Sequence, residues 1–266
     1  MIFRLVDVGL KYPRSALSVL SGLSLEIEKG QFVGIVGPTG SGKSSLLKIL
    51  SGVIPHFESA DISGTIEIFG RTPAEWSLAS LSGKVGLMME DPEDQLFNLR
   101  VREEVTWALE NRGMAKEEIL RRASDALRFF GIEHLIDRVT FDLSGGEKQR
   151  LALASIYAID PEVLLLDKPT SELDPEGTEQ VLEAIQRLRD TNRTVVIVED
   201  KIDFLISCCT RLLLVDGGGI VIDAEPVEFI RQLSLLNGIR VRNSDLVVAA
   251  QRLNLHPLHF LRMLES

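Results

Sequence analysis

Phosphate-binding chemistry is indicated by one glycine-rich stretch, Gly37-Pro-Thr-Gly-Ser-Gly-Lys43-Ser44. It follows the apolar run Phe32–Val36 and leads into Ser45–Leu50, so the pattern predicts a buried strand, a turn and a helix. Glycines let backbone N–H groups curl around an anion, and the start of the helix adds partial positive charge. We therefore predict a phosphate-binding loop, called the P-loop below, and a bound nucleotide.

Two side chains of the P-loop are predicted to have separate roles. Lys43 would bring a cation to the outer phosphates, and the Ser44 hydroxyl is placed to bind Mg²⁺. A glycine-rich turn with a chance lysine is the alternative, and the flanking strand and helix disfavour it. The candidate nucleotide-binding residues are Gly37, Pro38, Thr39, Gly40, Ser41, Gly42, Lys43, Ser44 and Ser45.

A tyrosine precedes the P-loop, in the run Lys11-Tyr12-Pro13. Its ring could stack on the adenine of a nucleotide, because an aromatic face offers contact area at little entropic cost. A tyrosine at the edge of a strand would look the same in sequence. The residues alone leave these two interpretations open.

A second anion site is predicted at Leu143-Ser-Gly-Gly-Glu-Lys-Gln-Arg150, before an apolar-faced helix that runs to Ala158. Ser144 and Glu147 have the spacing of a capping box, and Gly145 and Gly146 leave the start of the helix without side chains. An exposed helix N-terminus with a serine is ready to bind an anion. An acid, Asp167, ends a buried strand and could hold the hydration shell of Mg²⁺.

The elements that must position these residues alternate between strands and helices. Residues 2–8 and 23–28 alternate apolar and polar, as half-buried antiparallel strands do. A helical period over 101–130 predicts an insert within an α/β chain, and Asp174-Pro175 predicts the start of another helix. Further predicted strands are Thr65–Phe69, Val85–Met89, Val163–Asp167, Thr194–Val198 and a closing hairpin over 212–222, and helices are predicted over 226–236 and 244–264.

Length and composition set the class of protein. The chain has 266 residues and a formal charge of −10, with 45% hydrophobic and 26% charged residues, as in an ordinary soluble globular protein. The acidity argues against nucleic acid as a partner, because a phosphate backbone demands clustered cations. No apolar run of about 18 residues predicts a membrane span, and the N-terminus lacks a signal-peptide pattern.

Cysteine and histidine indicate neither a disulfide nor a metal site. Cys208 and Cys209 are adjacent, and a bridge between neighbours is strained, so we expect buried thiols in a reducing cytosol. His256 and His259 flank a proline and lack partners at ligand spacing, so we expect no metal there.

Taken in order, these motifs resemble those of the ATP-binding subunits of ABC transporters. Tyr12 falls where that family stacks adenine, which favours the stacking interpretation. The similar segments are Gly37–Ser44 for the Walker A motif, Leu143–Arg150 for the signature motif, Val163–Asp167 for the Walker B strand and Ser171–Asp174 for the D-loop. The segment Val85–Phe97 and the C-terminal helices are most similar to the energy-coupling factor and cobalt-type importer ATPases.

The resemblance covers about residues 1–225 and implies an α/β fold, that of a P-loop ABC ATPase. It implies an antiparallel β subdomain, a helical subdomain over about 98–160 and a small C-terminal helical extension over 226–266. It also implies a dimer that closes on two ATP molecules with Mg²⁺, each capped by the other subunit's signature helix. The implied metal-binding residues are Ser44, Glu90 and Asp167, and those acting on the partner's site are Ser144, Gly145, Gly146, Glu147 and Asp174.

Three positions depart from the family's pattern. Lys168 stands where the family has a glutamate that polarises the attacking water, Asp200 where it has a histidine, and Glu90 where it has a glutamine. Lysine cannot accept a proton at neutral pH, so Lys168 cannot act as that base. We hypothesise that Lys168 pairs with Asp200 or the γ-phosphate while Glu90 binds Mg²⁺, leaving a site that holds ATP and cleaves it slowly. A shifted register would instead assign these roles to Glu172, Glu199 or Gln95.

Because the signature motif is intact, we predict a heterodimer with a second, different ABC ATPase subunit. The other implied partners are a transmembrane coupling subunit and a substrate-binding membrane subunit, at the cytoplasmic face of the cell membrane. This chain would retain ATP in its own P-loop and complete the working site of the other ATPase. The alternatives are a soluble ABC ATPase, as in iron–sulfur assembly, and a regulatory nucleotide sensor.

Overall fold

The computed structural model describes residues 1–13, 15–171 and 173–235. The chain divides into two compact units. The first unit consists of Met1–Leu78 with the described residues from Thr194 onward, and the second unit is Ala79–Arg193. Each unit is described by itself.

The strands within the described ranges are β1 (Phe3–Lys11), β2 (Leu20–Ile27), β3 (Phe32–Val36), β4 (Asp61–Ile68), β5 (Val85–Met88), β6 (Val163–Asp167), β7 (Thr194–Val198), β8 (Arg211–Asp216) and β9 (Gly219–Ala224). The helices are α1 (Lys43–Leu50), α2 (Val53–His56), α3 (Leu78–Leu81), α4 (Val101–Glu110), α5 (Lys116–Phe129), α6 (Gly145–Ala158), α7 (Pro175–Arg187), α8 (Ile202–Cys208) and α9 (Pro226–Leu235).

The first unit contains an antiparallel sheet in the order β2-β1-β4. Phe3 of β1 pairs with Ile27 of β2 on one side and with Ile68 of β4 on the other. Alternate residues of β2 are buried, because one face of the strand packs on the core and the other meets solvent. The half-buried antiparallel strands predicted from the sequence are therefore confirmed.

A second group of strands in the first unit is mostly parallel. β3 lies between β7 and β8 and runs parallel to both, and β9 returns antiparallel to β8. Every residue of β3 and β7 is buried, which explains their unbroken apolar sequence. Gly34 of β3 leaves room for Leu212, because a Cβ at position 34 would lie 2.6 Å from a terminal methyl group of that side chain. Cys208 and Cys209 are buried thiols, as predicted, and their sulfur atoms lie 3.8 Å apart.

The described residues of the second unit include a parallel strand pair and the four long helices α4 to α7. β5 pairs with β6, with Val85 opposite Val163 and Met88 opposite Leu166. Helices α4 and α5 both contact α6, which begins at Gly145 as the capping-box pattern predicts. Asp174 caps α7 through a 2.7 Å hydrogen bond from the N–H of Gly177, which confirms the predicted helix start.

The boundaries of two elements differ from the sequence prediction. The helical period over 101–130 is interrupted, because the chain turns at Gly113 with φ of +66° between α4 and α5. Strand β4 begins earlier than Thr65, at Asp61, where it pairs with Lys11.

The C-terminal predictions are only partly covered by the described residues. Helix α9, Pro226–Leu235, matches the predicted helix over 226–236. The predicted helix over 244–264 and the two C-terminal histidines lie outside the described residues. The domain limits at 225 and over 98–160 stay predictions. Among the described residues, no helix combines the length and the apolar character that crossing a membrane requires.

Candidate functional site

The P-loop connects the buried end of β3 to the start of α1. Gly40 and Gly42 have φ of +82° and +100°, which side chains other than glycine disfavour. A Cβ on Gly37 would lie 2.0 Å from the carbonyl oxygen of Val215, and one on Gly42 would lie 2.6 Å from Leu20. The backbone of the loop therefore packs closely against Val215 and Leu20, and its shape depends on these glycines.

The cationic end of Lys43 is held inside the loop. Its side chain is only 6% exposed, and Nζ donates to the carbonyl oxygens of Gly37 at 2.6 Å and Pro38 at 2.9 Å. Asp200 follows β7, the strand beside β3, and its Oδ1 lies 3.9 Å from Lys43 Nζ. Ser44, the next residue, is exposed at the first turn of α1. A lysine next to an exposed hydroxyl and a bare backbone cradle suits a phosphate with a divalent cation.

Tyr12 lies against this same helix. Its hydroxyl shares a 3.0 Å hydrogen bond with Oγ of Ser45, the residue after Ser44. The structure thus brings Tyr12 to the P-loop, while its stacking on adenine stays a prediction.

The second predicted anion site is a cavity of about 420 Å³ in the second unit, called the signature cavity below. The first turns of α6 and α7 line it, so two helix N-termini meet there. The lining residues are Ser144, Gly145, Gly146, Glu147, Arg150, Leu173, Asp174, Glu176, Gly177 and Gln180. The predicted candidates from 144 to 147 and Asp174 are therefore brought together.

A capping box fixes the entrance to the signature cavity. Glu147 Oε2 accepts hydrogen bonds from the N–H of Ser144 at 2.8 Å and from its hydroxyl at 2.9 Å. Burial alone would raise the pKa of the Glu147 carboxyl, but these hydrogen bonds, with Arg150 and Arg138 nearby, hold that pKa below its usual range. Partial burial lowers the pKa of Arg150, yet a guanidinium stays charged at neutral pH. Two helix N-termini, the cation Arg150 and the three acids Glu147, Asp174 and Glu176 thus line the cavity.

The two unusual residues of the second unit form an ion pair with each other. Met88 and Leu166 are in register, so Glu90 and Lys168 follow their strands at corresponding positions. Lys168 Nζ lies 2.8 Å from Glu90 Oε1. Any Mg²⁺ ion bound by Glu90 would have to compete with this contact. Mg²⁺ binding by Glu90, and by Asp167 at the buried end of β6, stays a prediction, as does the pairing of Lys168 with Asp200.

The shifted-register alternative also stays a prediction, and the structure gives contacts for two of its three residues. Glu199 is 3% exposed and bonds the N–H of Asp200 through its own Oε1. Gln95 accepts a 3.3 Å hydrogen bond from the N–H of Met89. Glu172 lies outside the described residues.

A buried carboxylate that the sequence did not reveal organises the chain after β5. Glu104 is 5% exposed, and its Oε2 accepts hydrogen bonds from the N–H groups of Phe97 and Asn98 and from the amide of Asn98. Glu104 belongs to α4, but its carboxylate binds the N–H groups of a loop. The helical periodicity of the sequence therefore could not predict this contact. It fixes the backbone on which Phe97 is carried.

Replacing this carboxylate is expected to destabilise the protein. In Glu104→Ala, two backbone N–H groups lose their acceptor, which lowers the free energy of unfolding by about 1–3 kcal/mol. Urea unfolding measures the change. Glu110→Ala, an exposed acid on the same helix, is the matched control and is expected to change stability by less than about 0.5 kcal/mol. Equal losses in both variants would contradict the structural role of Glu104.

Four large apolar side chains are exposed together around this loop. We call them the aromatic platform, which consists of Phe97, Leu99, Trp107 and Phe141, each between 46% and 61% exposed. The rings of Phe97 and Trp107 meet edge to face with centroids 4.8 Å apart. The carbonyl of Leu99 accepts a 2.9 Å hydrogen bond from the N–H of Thr140, the neighbour of Phe141. Exposed apolar groups of this kind mark protein contact surfaces.

Comparison with known proteins places these features in a family. The family described as ABC transporter matches residues 20–171. An inferred ABC transporter ATP-binding protein of Pyrococcus abyssi is 40% identical over 242 residues, which cover 91% of this chain and 86% of that protein. Its counterpart in Pyrococcus horikoshii is also 40% identical, over 91% of this chain and 85% of that protein.

Solved structures are similar over most of the chain. CbiO1 of Clostridium perfringens, part of the ABC transporter complex cbiONQ, superimposes with a TM-score of 0.76 at 29% identity, covering 89% of this chain and 95% of that one. A dimeric ATP-binding cassette in a post-hydrolysis state, bound to ADP and phosphate, gives a TM-score of 0.73 at 26% identity, covering 84% and 98%.

Proposed function

This chain belongs to the ABC transporter family of ATP-binding proteins, and from that membership we propose that it is one ATPase subunit of a membrane importer. It lies at the cytoplasmic face of the membrane and couples the binding and hydrolysis of ATP to transport. The family hydrolyses ATP, and the P-loop supports nucleotide binding by this chain itself.

The P-loop residues fit a nucleotide with Mg²⁺. The backbone N–H groups between Gly37 and Ser44 hold the phosphates, in a cradle that a side chain on Gly37 or Gly42 would fill. Lys43 leaves the carbonyl oxygens that it now contacts and binds the outer phosphates. The exposed hydroxyl of Ser44, with the acids Glu90 and Asp167, is proposed for the metal ion, whose charge would stabilise the leaving phosphate.

The degenerate positions support unequal sites in a heterodimer. Lysine cannot accept a proton at neutral pH, and Lys168 Nζ lies 2.8 Å from Glu90 Oε1, so it cannot act as the general base. The capping box at Ser144 and the signature cavity are fully formed, so this chain can complete the site of a second, different ATPase. Ser144, Gly145, Gly146, Glu147 and Asp174 are proposed to act there on the partner's nucleotide.

The aromatic platform is the observation that carries the membrane assignment. The buried carboxylate of Glu104 fixes the backbone at Phe97, and the Phe97 ring packs edge to face against Trp107. Exposed acids, Asp91, Asp94 and Asp142, flank the platform in sequence. A cytoplasmic helix with apolar and basic side chains fits such a surface. Likeness to CbiO1 supports an energy-coupling-type importer with a transmembrane coupling subunit and a substrate-binding membrane subunit.

A single substitution on the platform tests the membrane role. We expect Phe97→Asp to lose the membrane subunits when the tagged chain is purified from detergent-solubilised membranes of its own host, because a charge cannot be buried there unpaired. Mass spectrometry identifies co-purified proteins that have several membrane spans, and ATP binding by the variant stays at the wild-type level. Leu120→Asp, at a position of α5 that is 45% exposed against 57% for Phe97, is the control and retains them.

Two outcomes would contradict the membrane role. One is a wild-type chain that brings down no protein with membrane spans, which favours a soluble ABC ATPase. The other is full retention of those proteins by Phe97→Asp, which means that another surface binds them.

A further inference from the structure

An acid lies next to the lysine of the P-loop. Asp200 follows β7, which runs parallel to β3, and neighbouring parallel strands end at the same edge of a sheet. Oδ1 of Asp200 is thereby brought to 3.9 Å from Nζ of Lys43. Lys43 is buried and Asp200 is exposed, so a ligand that binds the lysine meets this carboxylate as well.

A buried neighbour holds the backbone of Asp200 in place. Glu199 is 3% exposed, and its Oε1 accepts a 2.8 Å hydrogen bond from the N–H of Asp200. The N–H of Glu199 in turn donates to the carbonyl oxygen of Ile35 in β3 at 3.1 Å. These bonds tie Asp200 to the strand that leads into the P-loop, so the fold fixes its backbone before any nucleotide binds.

The phosphates of a nucleotide do not all meet this acid. In a P-loop the backbone N–H groups hold the first and second phosphates, and the lysine reaches the second and third. Nζ of Lys43 now contacts the carbonyl oxygens of Gly37 and Pro38 and would turn from them to the outer phosphates. A third phosphate bound there would lie close to the carboxylate of Asp200, and the two anions would repel each other. A diphosphate lacks the group that meets this repulsion.

We infer that Asp200 is a specificity-determining residue that weakens the binding of a third phosphate, so that this chain's own site holds a nucleoside diphosphate at least as tightly as a triphosphate. The inference rests on the proposed nucleotide binding at the P-loop. The repulsion counts against ATP alone, and an unfavourable charge contact of this kind creates selectivity between two otherwise similar ligands.

The test compares two nucleotides that differ only in the third phosphate. Calorimetry measures the binding of ADP and of ATP, each with Mg²⁺, to the purified wild-type chain, to Asp200→Asn and to Asp200→Glu. We expect Asp200→Asn to strengthen ATP binding about tenfold and to change ADP binding by less than about twofold, because an amide of the same size removes only the charge. Asp200→Glu keeps the charge and should keep the wild-type ratio of the two affinities.

Glu225→Gln is the matched control, because it also removes one negative charge from the first unit. Glu225 is exposed and follows the end of β9, where Ala224 pairs with Leu212 near the start of β8. It should leave both affinities unchanged. Thermal melting checks that each variant folds, and chromatography checks that ATP stays intact during the measurement. Should Asp200→Asn not fold, Asp200→Ala decides the question, because it removes the same charge.

The inference is overturned if Asp200→Asn strengthens ADP and ATP binding equally, since the carboxylate then acts on phosphates that both ligands share. Unchanged ATP affinity overturns it too, as does weaker ATP binding, which would mean that the carboxylate holds a cation beside the third phosphate. A gain of ATP affinity in Asp200→Glu as large as in Asp200→Asn has the same consequence, because the charge is still present. These results leave nucleotide binding at the P-loop intact. A wild-type chain that binds neither nucleotide would instead contradict the proposed function.

Discussion

Ser144→Arg will abolish ATP hydrolysis by the assembled complex, with a loss of about a hundredfold or more. The serine caps α6 at the mouth of the signature cavity, and its hydroxyl and N–H both bond Glu147. An arginine removes that donor and fills the space beside the bare glycines, where the phosphate of the partner's nucleotide is proposed to bind. The loss of a cap itself costs only about 1 kcal/mol, so the fold survives.

The experiment is a steady-state ATPase assay on the complex that co-purifies with the tagged chain. Ser82→Arg, an exposed serine of the second unit that does not line the signature cavity, is the matched control and keeps wild-type activity. Subunit composition is measured in parallel, so that loss of the complex is distinguished from loss of turnover. Unimpaired hydrolysis in a complete Ser144→Arg complex would mean that this signature cavity serves no nucleotide.

Features encoded by neighbours in sequence could be predicted well. The P-loop, the capping box of Ser144 and the cap at Asp174 all depend on spacings of a few residues, and the structure contains each of them. The α/β fold class of a P-loop ABC ATPase is likewise confirmed, because the motifs that imply it occur in a fixed order.

Features that depend on distant pairing could not be predicted. Tyr12, which follows β1, and Ser45, in the first turn of α1, are 33 residues apart in sequence and meet only in the folded first unit. The contact of Glu90 with Lys168 follows from the register of β5 on β6, which no local pattern encodes. Glu104 looked like one more acid on a charged helix, although its carboxylate is buried against loop N–H groups. In each case the contacting residue can be identified only from the tertiary structure.

The Glu90–Lys168 pair also bears on the proposal that this chain's own site lacks a general base. We expect the double variant Glu90→Gln, Lys168→Glu to raise ATP hydrolysis by the purified chain about a hundredfold, the lower end of the rate gain that a general base supplies. The assay uses a protein concentration at which two copies can cap each other's nucleotide. Lys168→Glu alone should gain less, because two carboxylates would then replace a 2.8 Å ion pair, and their repulsion raises the pKa of one of them. A glutamine at position 90 removes that repulsion and can still form a hydrogen bond.

Phosphate release at neutral pH measures this gain, and adding Lys43→Ala to the double variant must remove it, because that lysine belongs to the chain's own P-loop. The wild-type chain alone is expected to hydrolyse ATP at background rate. Brisk hydrolysis by the wild type would contradict the proposed asymmetry, since Lys168 would then be compatible with catalysis. An unchanged rate in the double variant has a different consequence. The defect would then lie with Asp200, whose carboxylate is 3.9 Å from Lys43, and Asp200→His added to the double variant would be the change that restores turnover.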